Sequence, residues 1–163
     1  MFERNHTPEL LAPPGGRGPL EAAVHFGADA VYFACDRFGL RQRAENFALD
    51  EVPSAVACAH ASGARAYVAL NTLMDAADVA ALPAYLEAFD AAGADALIVS
   101  DLGALSLARK HAPSLELHVS TQAGVMNAEA ARMWHELGAG RVVCAREMSV
   151  ADIARLRADA PRD

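Results

Sequence analysis

The sequence predicts an α/β fold of parallel β-α repeats, on three observations. Gly27, Gly63, Gly93 and Gly138 each stand shortly before an apolar run, at residues 31–34, 67–70, 97–100 and 142–145. Each run is short and continuous, as in a strand buried on both faces. The segments between the runs carry apolar residues at helical spacing, and each glycine falls where a helix would end in a left-handed residue.

Taken in order, a first strand is expected at residues 9–12. Pro13-Pro14-Gly15-Gly16-Arg17-Gly18-Pro19 has the glycines of a phosphate cradle but not the lysine and Ser/Thr of a P-loop. It reads as a stiff turn leading into a helix that stops at Gly27. After the strand at 31–34, a helix is expected over 52–62, with Pro53 tolerated in its first turn. The strand at 67–70 precedes a helix over 79–92, with Asp78 as N-cap and Pro83 early in the helix or at its true start. Further helices are expected over 103–111, 128–137 and 150–158, with a strand at 115–119 and a capping pair in Ser149 and Asp152.

Strands alternating with helices imply a parallel sheet. The resulting six β-α units in 163 residues fit either an open doubly wound sheet or most of a barrel. A complete (β/α)8 barrel takes about 250 residues. The chain has no G-x-G-x-x-G dinucleotide fingerprint, which removes one reason to prefer the open sheet.

Composition narrows the function classes. Hydrophobic residues make up 53% of the chain and aromatics 6%, with alanine prominent, which suits helices packed closely on a sheet. A net charge of −7 disfavours a protein that coats nucleic acid non-specifically, although Arg37, Arg41 and Arg43 form a local basic cluster. Cys35, Cys58 and Cys144 have no C-x-x-C spacing, so neither a disulfide framework nor a zinc site is indicated and no metal ligands are assigned. The opening residues lack a signal-peptide pattern, and no apolar run reaches the 18 or so residues of a membrane helix. A soluble, cytoplasmic protein is expected.

In either arrangement ligands bind at the carboxyl ends of the parallel strands. Those ends carry Cys35 and Asp36, Asn71, Asp101, Ser120 to Gln122, and Arg146 with Glu147. Asp101 and Glu147 are the acid/base candidates, while Asn71 and Gln122 offer paired donor and acceptor groups. Helix capping competes with function for each of them. His118 lies within a strand, where a hydrogen-bonded core histidine is the plainer reading, and the cysteines read as small buried hydrophobes. No nucleophile with a paired base is evident.

Several ordered motifs resemble the collagenase-like peptidases of family U32. They are Pro8-Glu9-Leu10-Leu11-Ala12-Pro13, Gly27-Ala28-Asp29-Ala30-Val31-Tyr32 and Phe38-Gly39-x-Arg41-x-Arg43-Ala44-x-Asn46-Phe47. Asn71-Thr72-Leu73, Asp95-Ala96-Leu97-Ile98-Val99-x-Asp101-Leu102-Gly103 and His118-x-Ser120-Thr121-Gln122 follow, then Asn127 and Arg141-Val142-Val143-x-Ala145-Arg146-Glu147. The resemblance spans nearly the whole chain. It implies a single domain over 1–163 forming an incomplete TIM-like (β/α)8 barrel. It implies either proteolysis or the hydroxylation of a base in tRNA or rRNA, with a peptide or RNA as substrate. Arg41 and Arg43 would grip a carboxylate or phosphate, in competition with ion pairing to Glu45. Asn46, Asn71, His118, Gln122 and Arg146 would position the ligand, and Asp101 and Glu147 would be the catalytic candidates.

The loop from Pro14 to Pro19 is longer than the family's usual turn. The family's cysteine signature is expected beyond Asp163, and none of the three cysteines matches it. An iron–sulfur cluster is therefore expected only in a longer family member, with no cofactor in this chain. Whether this chain is itself an enzyme stays open. The alternatives are a truncated, non-catalytic ligand-binding protein and a gene product without activity of its own. Open strand edges of an incomplete barrel would favour self-association.

Overall fold

A computed structural model of the chain describes residues 8–40 and 46–161. Six strands alternate with six α-helices: β1 (Leu11–Ala12), α1 (Arg17–His25), β2 (Ala30–Ala34), α2 (Val52–Ala61), β3 (Arg65–Leu70), α3 (Ala76–Ala91), β4 (Ala96–Val99), α4 (Leu102–His111), β5 (Glu116–Val119), α5 (Ala128–Glu136), β6 (Arg141–Val142) and α6 (Val150–Asp159). All neighbouring strands pair in parallel, in the order β1-β2-β3-β4-β5-β6.

That unbroken order decides between the two architectures. Right-handed crossovers that always step to the same side put every helix on one face of the sheet, whereas a doubly wound sheet reverses direction and covers both. The outer face packs Val31, Phe33, Val68, Leu70, Leu97 and Val99 against helix residues such as Leu20, Val56, Leu82, Leu86, Phe89 and Leu105. The inner face holds a smaller cluster of Ala30, Tyr67, Ala96 and Ile98, with Leu11 and Tyr32 against it. Burial on both faces explains why the strands read as continuous apolar runs.

The sheet is a curled half-barrel. In a flat sheet five strand spacings would separate β1 from β6 by about 24 Å. Glu9, just before β1, nevertheless accepts a hydrogen bond of 2.6 Å from Arg141, the first residue of β6. Two side chains span that gap only if the sheet curls and they reach across its concave face. The expected TIM-like barrel wall of six units is thus present.

Local chemistry sets the turns at the amino end. After α2, the Gly63 N–H donates to His60 O and the Ala64 N–H to Ala59 O, with Gly63 at φ 75°. The same pair of bonds closes α3 at Gly93, φ 73°. A β-carbon would be strained at both positions, and each turn feeds directly into the next strand.

Three boundaries differ from expectation. Helix α3 begins at Ala76, because Asp75 is the N-cap and accepts the N–H groups of Ala77 and Asp78 at 2.8 and 2.9 Å. Asp78 instead completes the capping box from within the helix. Pro83 lies well inside α3, so the Val79 carbonyl loses its usual donor, a cost carried by the packing of Leu82, Leu86 and Phe89. Strand β6 is only Arg141–Val142, shorter than the expected 142–145, because it has a strand partner on one side alone among the described residues. Helix α1 starts at Arg17, within the Gly/Pro stretch, with Pro19 in the first turn where no intrahelical donor is needed.

Candidate functional site

The carboxyl ends of the strands converge on a cleft open to solvent, with about 920 Å³ of empty space. Its floor is apolar: Leu11, Tyr32, Ala34, Ala69, Ile98 and Val143. Its rim is polar: Asn46, Asn71, Ser120, Thr121, Gln122 and Arg146. Four of the expected substrate-binding residues, Asn46, Asn71, Gln122 and Arg146, are therefore brought together although 100 residues separate the first from the last.

Each is placed by local structure. Ser120, 1% exposed, follows β5 and caps a short 3-10 turn over Thr121–Ala123, its hydroxyl accepting from the Gln122 N–H at 3.3 Å. Gly124 leaves that turn at φ 66°. Asn71 follows β3, and its Oδ1 accepts the Leu40 N–H at 3.1 Å. Asn46 precedes Phe47, whose N–H donates to Ala34 O at 3.2 Å while its carbonyl accepts from the Asp36 N–H at 2.9 Å. The two ends of the connection after β2 are thus stitched together beside the cleft. Arg146 is exposed in the turn after β6.

The other expected residues lie elsewhere. Asp101 is the N-cap of α4, its carboxylate accepting the Ala104 N–H at 2.9 Å, and it does not line the cleft. Glu147 is exposed and is also absent from the lining. His118 sits one layer deeper, 1% exposed, bonded through Nε2 to Glu116 at 3.1 Å and edge-on to Tyr67 at 4.9 Å. Burial, more than any other influence, pushes its pKa below the ordinary value, so the ring is neutral at physiological pH. Arg41 and Arg43 lie outside the described residues.

Beneath the cleft, at the amino ends of the strands, is an ionic layer that the sequence reading did not find. Glu9 accepts from Arg65 at 2.5 Å, from the Tyr67 hydroxyl at 2.6 Å and from Arg141 at 2.6 Å. Both guanidiniums also lie over the Tyr67 ring, 5.5 and 5.6 Å from its centre. Burial opposes ionisation of Glu9, but the bonds from Tyr67 and Arg141 and the two positive charges outweigh it and lower its pKa. Burial, reinforced by the bond to Glu9, raises the Tyr67 hydroxyl to about 12. A sequence signal existed: Arg65 and Tyr67, and Glu116, His118 and Ser120, are polar or aromatic at every second position of otherwise apolar strands. That alternation marks one face of a strand. In barrels the amino-terminal face serves stability and the carboxyl-terminal face chemistry, so the cleft is the candidate site.

Among the described residues, no group of three or more His, Cys, Asp or Glu side chains is placed to hold a metal ion. Cys35, Cys58 and Cys144 are free and fall on separate elements, so they do not fit an iron–sulfur site. No helix among the described residues is long and apolar enough to cross a membrane.

Known proteins share this sequence and fold. The chain is 39% identical over 150 residues to a tRNA hydroxylation protein of Bacillus subtilis (strain 168), a match covering 92% of this chain and 36% of that protein. It is 35% identical over 154 residues to tRNA hydroxylation protein P of Escherichia coli (strain K12), covering 94% and 34% respectively. A 23S rRNA 5-hydroxycytidine synthase of the same organism is 35% identical over 153 residues, covering 94% of this chain and 23% of that protein. The chain therefore spans well under half the length of these curated relatives. Among solved structures, a U32 peptidase superposes with a TM-score of 0.76 at 17% identity, covering 99% of this chain and 69% of that one. A deoxyribose phosphate aldolase from Aeropyrum pernix does so with a TM-score of 0.64 at 17% identity, covering 91% and 66%, which shows a shared fold alone. The family model of Peptidase family U32 matches residues 17–162, and the chain belongs to that family.

Proposed function

We propose that the chain supplies the RNA-binding cleft of an enzyme that hydroxylates a base in tRNA or rRNA. The observation that carries this reading is the cleft itself: an apolar floor ringed by two amides of asparagine, one of glutamine, two hydroxyls and a guanidinium. An apolar floor suits the face of an unstacked base, and side-chain amides suit its hydrogen-bonding edge. Arg146 suits a phosphate, as a donor-only group of fixed charge. Relatives named for tRNA and rRNA hydroxylation at 35–39% identity support the same substrate class.

The net charge of −7 requires the RNA contact to be local rather than spread over the surface. A peptidase reading finds less support in the site. His118 lies in β5 and Ser120 just after it, but the histidine is bonded to Glu116 and the serine oxygen accepts from the Gln122 backbone. Neither bond activates the hydroxyl as a nucleophile.

The test is mass spectrometry of nucleosides from tRNA and rRNA of a strain lacking the gene. Loss of one hydroxylated nucleoside, restored by the wild-type gene and not by an Arg146→Ala copy, is the expected result. Unchanged RNA would refute the proposal.

A further inference from the structure

Three hydrogen bonds join the end of β3 to the turn after β2. The N–H groups of Asn71 and Thr72 both donate to Phe38 O, at 2.9 and 3.2 Å, and the Leu40 N–H donates to Asn71 Oδ1 at 3.1 Å. The turn they hold has little freedom. Phe38 is at φ 68°, the left-handed region that a bulky side chain resists, and it is the single non-glycine there among the described residues. It is kept in place by burial and by an edge-on contact with Tyr85 at 5.0 Å. Gly39 has no room for a side chain, since a Cβ there would lie 2.3 Å from the Ala34 Cβ. Strain of this kind persists only where the surroundings over-determine it, and it concentrates at functional sites.

This geometry settles the orientation of the Asn71 amide. A backbone N–H can only donate, so the oxygen of Asn71, and not its nitrogen, must face Leu40. The Nδ2 group then occupies the other side of a side chain that lines the cleft. With Oδ1 turned to the Leu40 N–H, Asn71 offers that side its amide donor. On the same rim Arg146 is a donor alone, whereas Asn46, Ser120, Thr121 and Gln122 carry acceptors as well.

We infer that Asn71 is a specificity-determining donor, fixed by the strained Phe38–Leu40 turn, that selects a hydrogen-bond acceptor on the substrate such as a ring carbonyl oxygen of the base. The inference rests on the RNA reading of the cleft and adds to it the polarity of the edge that is read. A fixed donor at this position favours a carbonyl oxygen and disfavours an exocyclic amine, which would meet donor with donor.

Fluorescence anisotropy of the 163-residue chain with a labelled single-stranded pyrimidine RNA tests it. Asn71→Asp keeps an oxygen for the Leu40 N–H and replaces the cleft-facing donor with an acceptor. Leu73→Asp adds the same charge two residues away on a side chain that is 96% exposed. About tenfold weaker binding is expected for N71D, with an unchanged melting temperature, and less than about twofold for L73D. Equal losses in both variants would assign the effect to charge repulsion and overturn the inference. Wild-type affinity in N71D would also overturn it, leaving Asn71 as a fastener of the turn. Absence of RNA binding by the wild type would remove the RNA reading and this inference with it. If N71D melts early, the side-chain amide resonances of wild-type Asn71 decide: a shift on adding RNA sustains the donor role, and no shift overturns it.

Discussion

Replacing Glu9 with glutamine should destabilise the half-barrel by about 2 kcal/mol. The carboxylate accepts from Tyr67, Arg65 and Arg141 at 2.5–2.6 Å. Glutamine keeps one oxygen for these donors but turns its other end into a donor facing a guanidinium. Removing one partner of a fully buried pair costs about 3–5 kcal/mol. Here the Glu9 side chain is 20% exposed, Arg141 36% and Arg65 44%, so solvent screening reduces that to about half. For a domain of this size, about 2 kcal/mol lowers the melting temperature by about 4–8 °C.

The pH dependence of the same variant gives an independent check. The folded-state pKa of Glu9 lies below its ordinary 4.5, because the donors and positive charges around it outweigh the burial that opposes ionisation. The folded state therefore binds fewer protons than the unfolded state in that range. The stability contributed by the carboxylate is full above the ordinary value and is lost as pH falls through the folded one. The gap between wild type and E9Q, measured by urea unfolding, should be constant near neutrality and narrow below about pH 4.5. A gap under about 0.5 kcal/mol at pH 7 would refute the ionic layer as a clamp between the ends of the sheet. A gap that persists unchanged into acid would refute the charge as its source.

Two further outcomes follow from the buried titratable groups. Burial holds the pKa of His118 below its ordinary 6.5, so the folded state resists protonation and wild type should lose stability as pH falls below that value, a loss absent from His118→Gln; parallel stability curves for the two proteins between about pH 7 and 5 would refute it. Burial and the bond to Asp36 push the Cys35 thiol to about 12, so iodoacetamide near pH 8 should modify the partly exposed Cys58 and Cys144 in the folded protein and spare Cys35; equal labelling of all three would refute the packing described for β2.

Much of the site was legible because one rule places it. Parallel strands end at one edge, so residues just after each strand are brought together without any knowledge of their side-chain directions. Asn71, Gln122 and Arg146 follow from that rule, and the cleft contains all three. The rule does not say which way a strand-end side chain turns. Asp101 and Asn71 look alike in the sequence, yet Asp101 turns back to cap α4 while Asn71 lines the cleft. The difference lies in the donor each oxygen meets: the Ala104 N–H three residues on, or the Leu40 N–H of another loop. The first is local and competes at every helix start. The second exists only once β2 and β3 are paired.

The sequence by itself determined the six β-α units, their glycine stops and the polar edge, because turn chemistry, capping and apolar period act over a few residues. Only the tertiary structure decided that the sheet curls, that Pro83 is carried inside α3, and that Glu9 meets Arg141 across 132 residues of chain. Each of those outcomes depends on packing between elements distant in sequence, whose energies are comparable with the local ones and override them. The family motifs pointed to a barrel, but the bend itself is written in contacts across the concave face of the sheet.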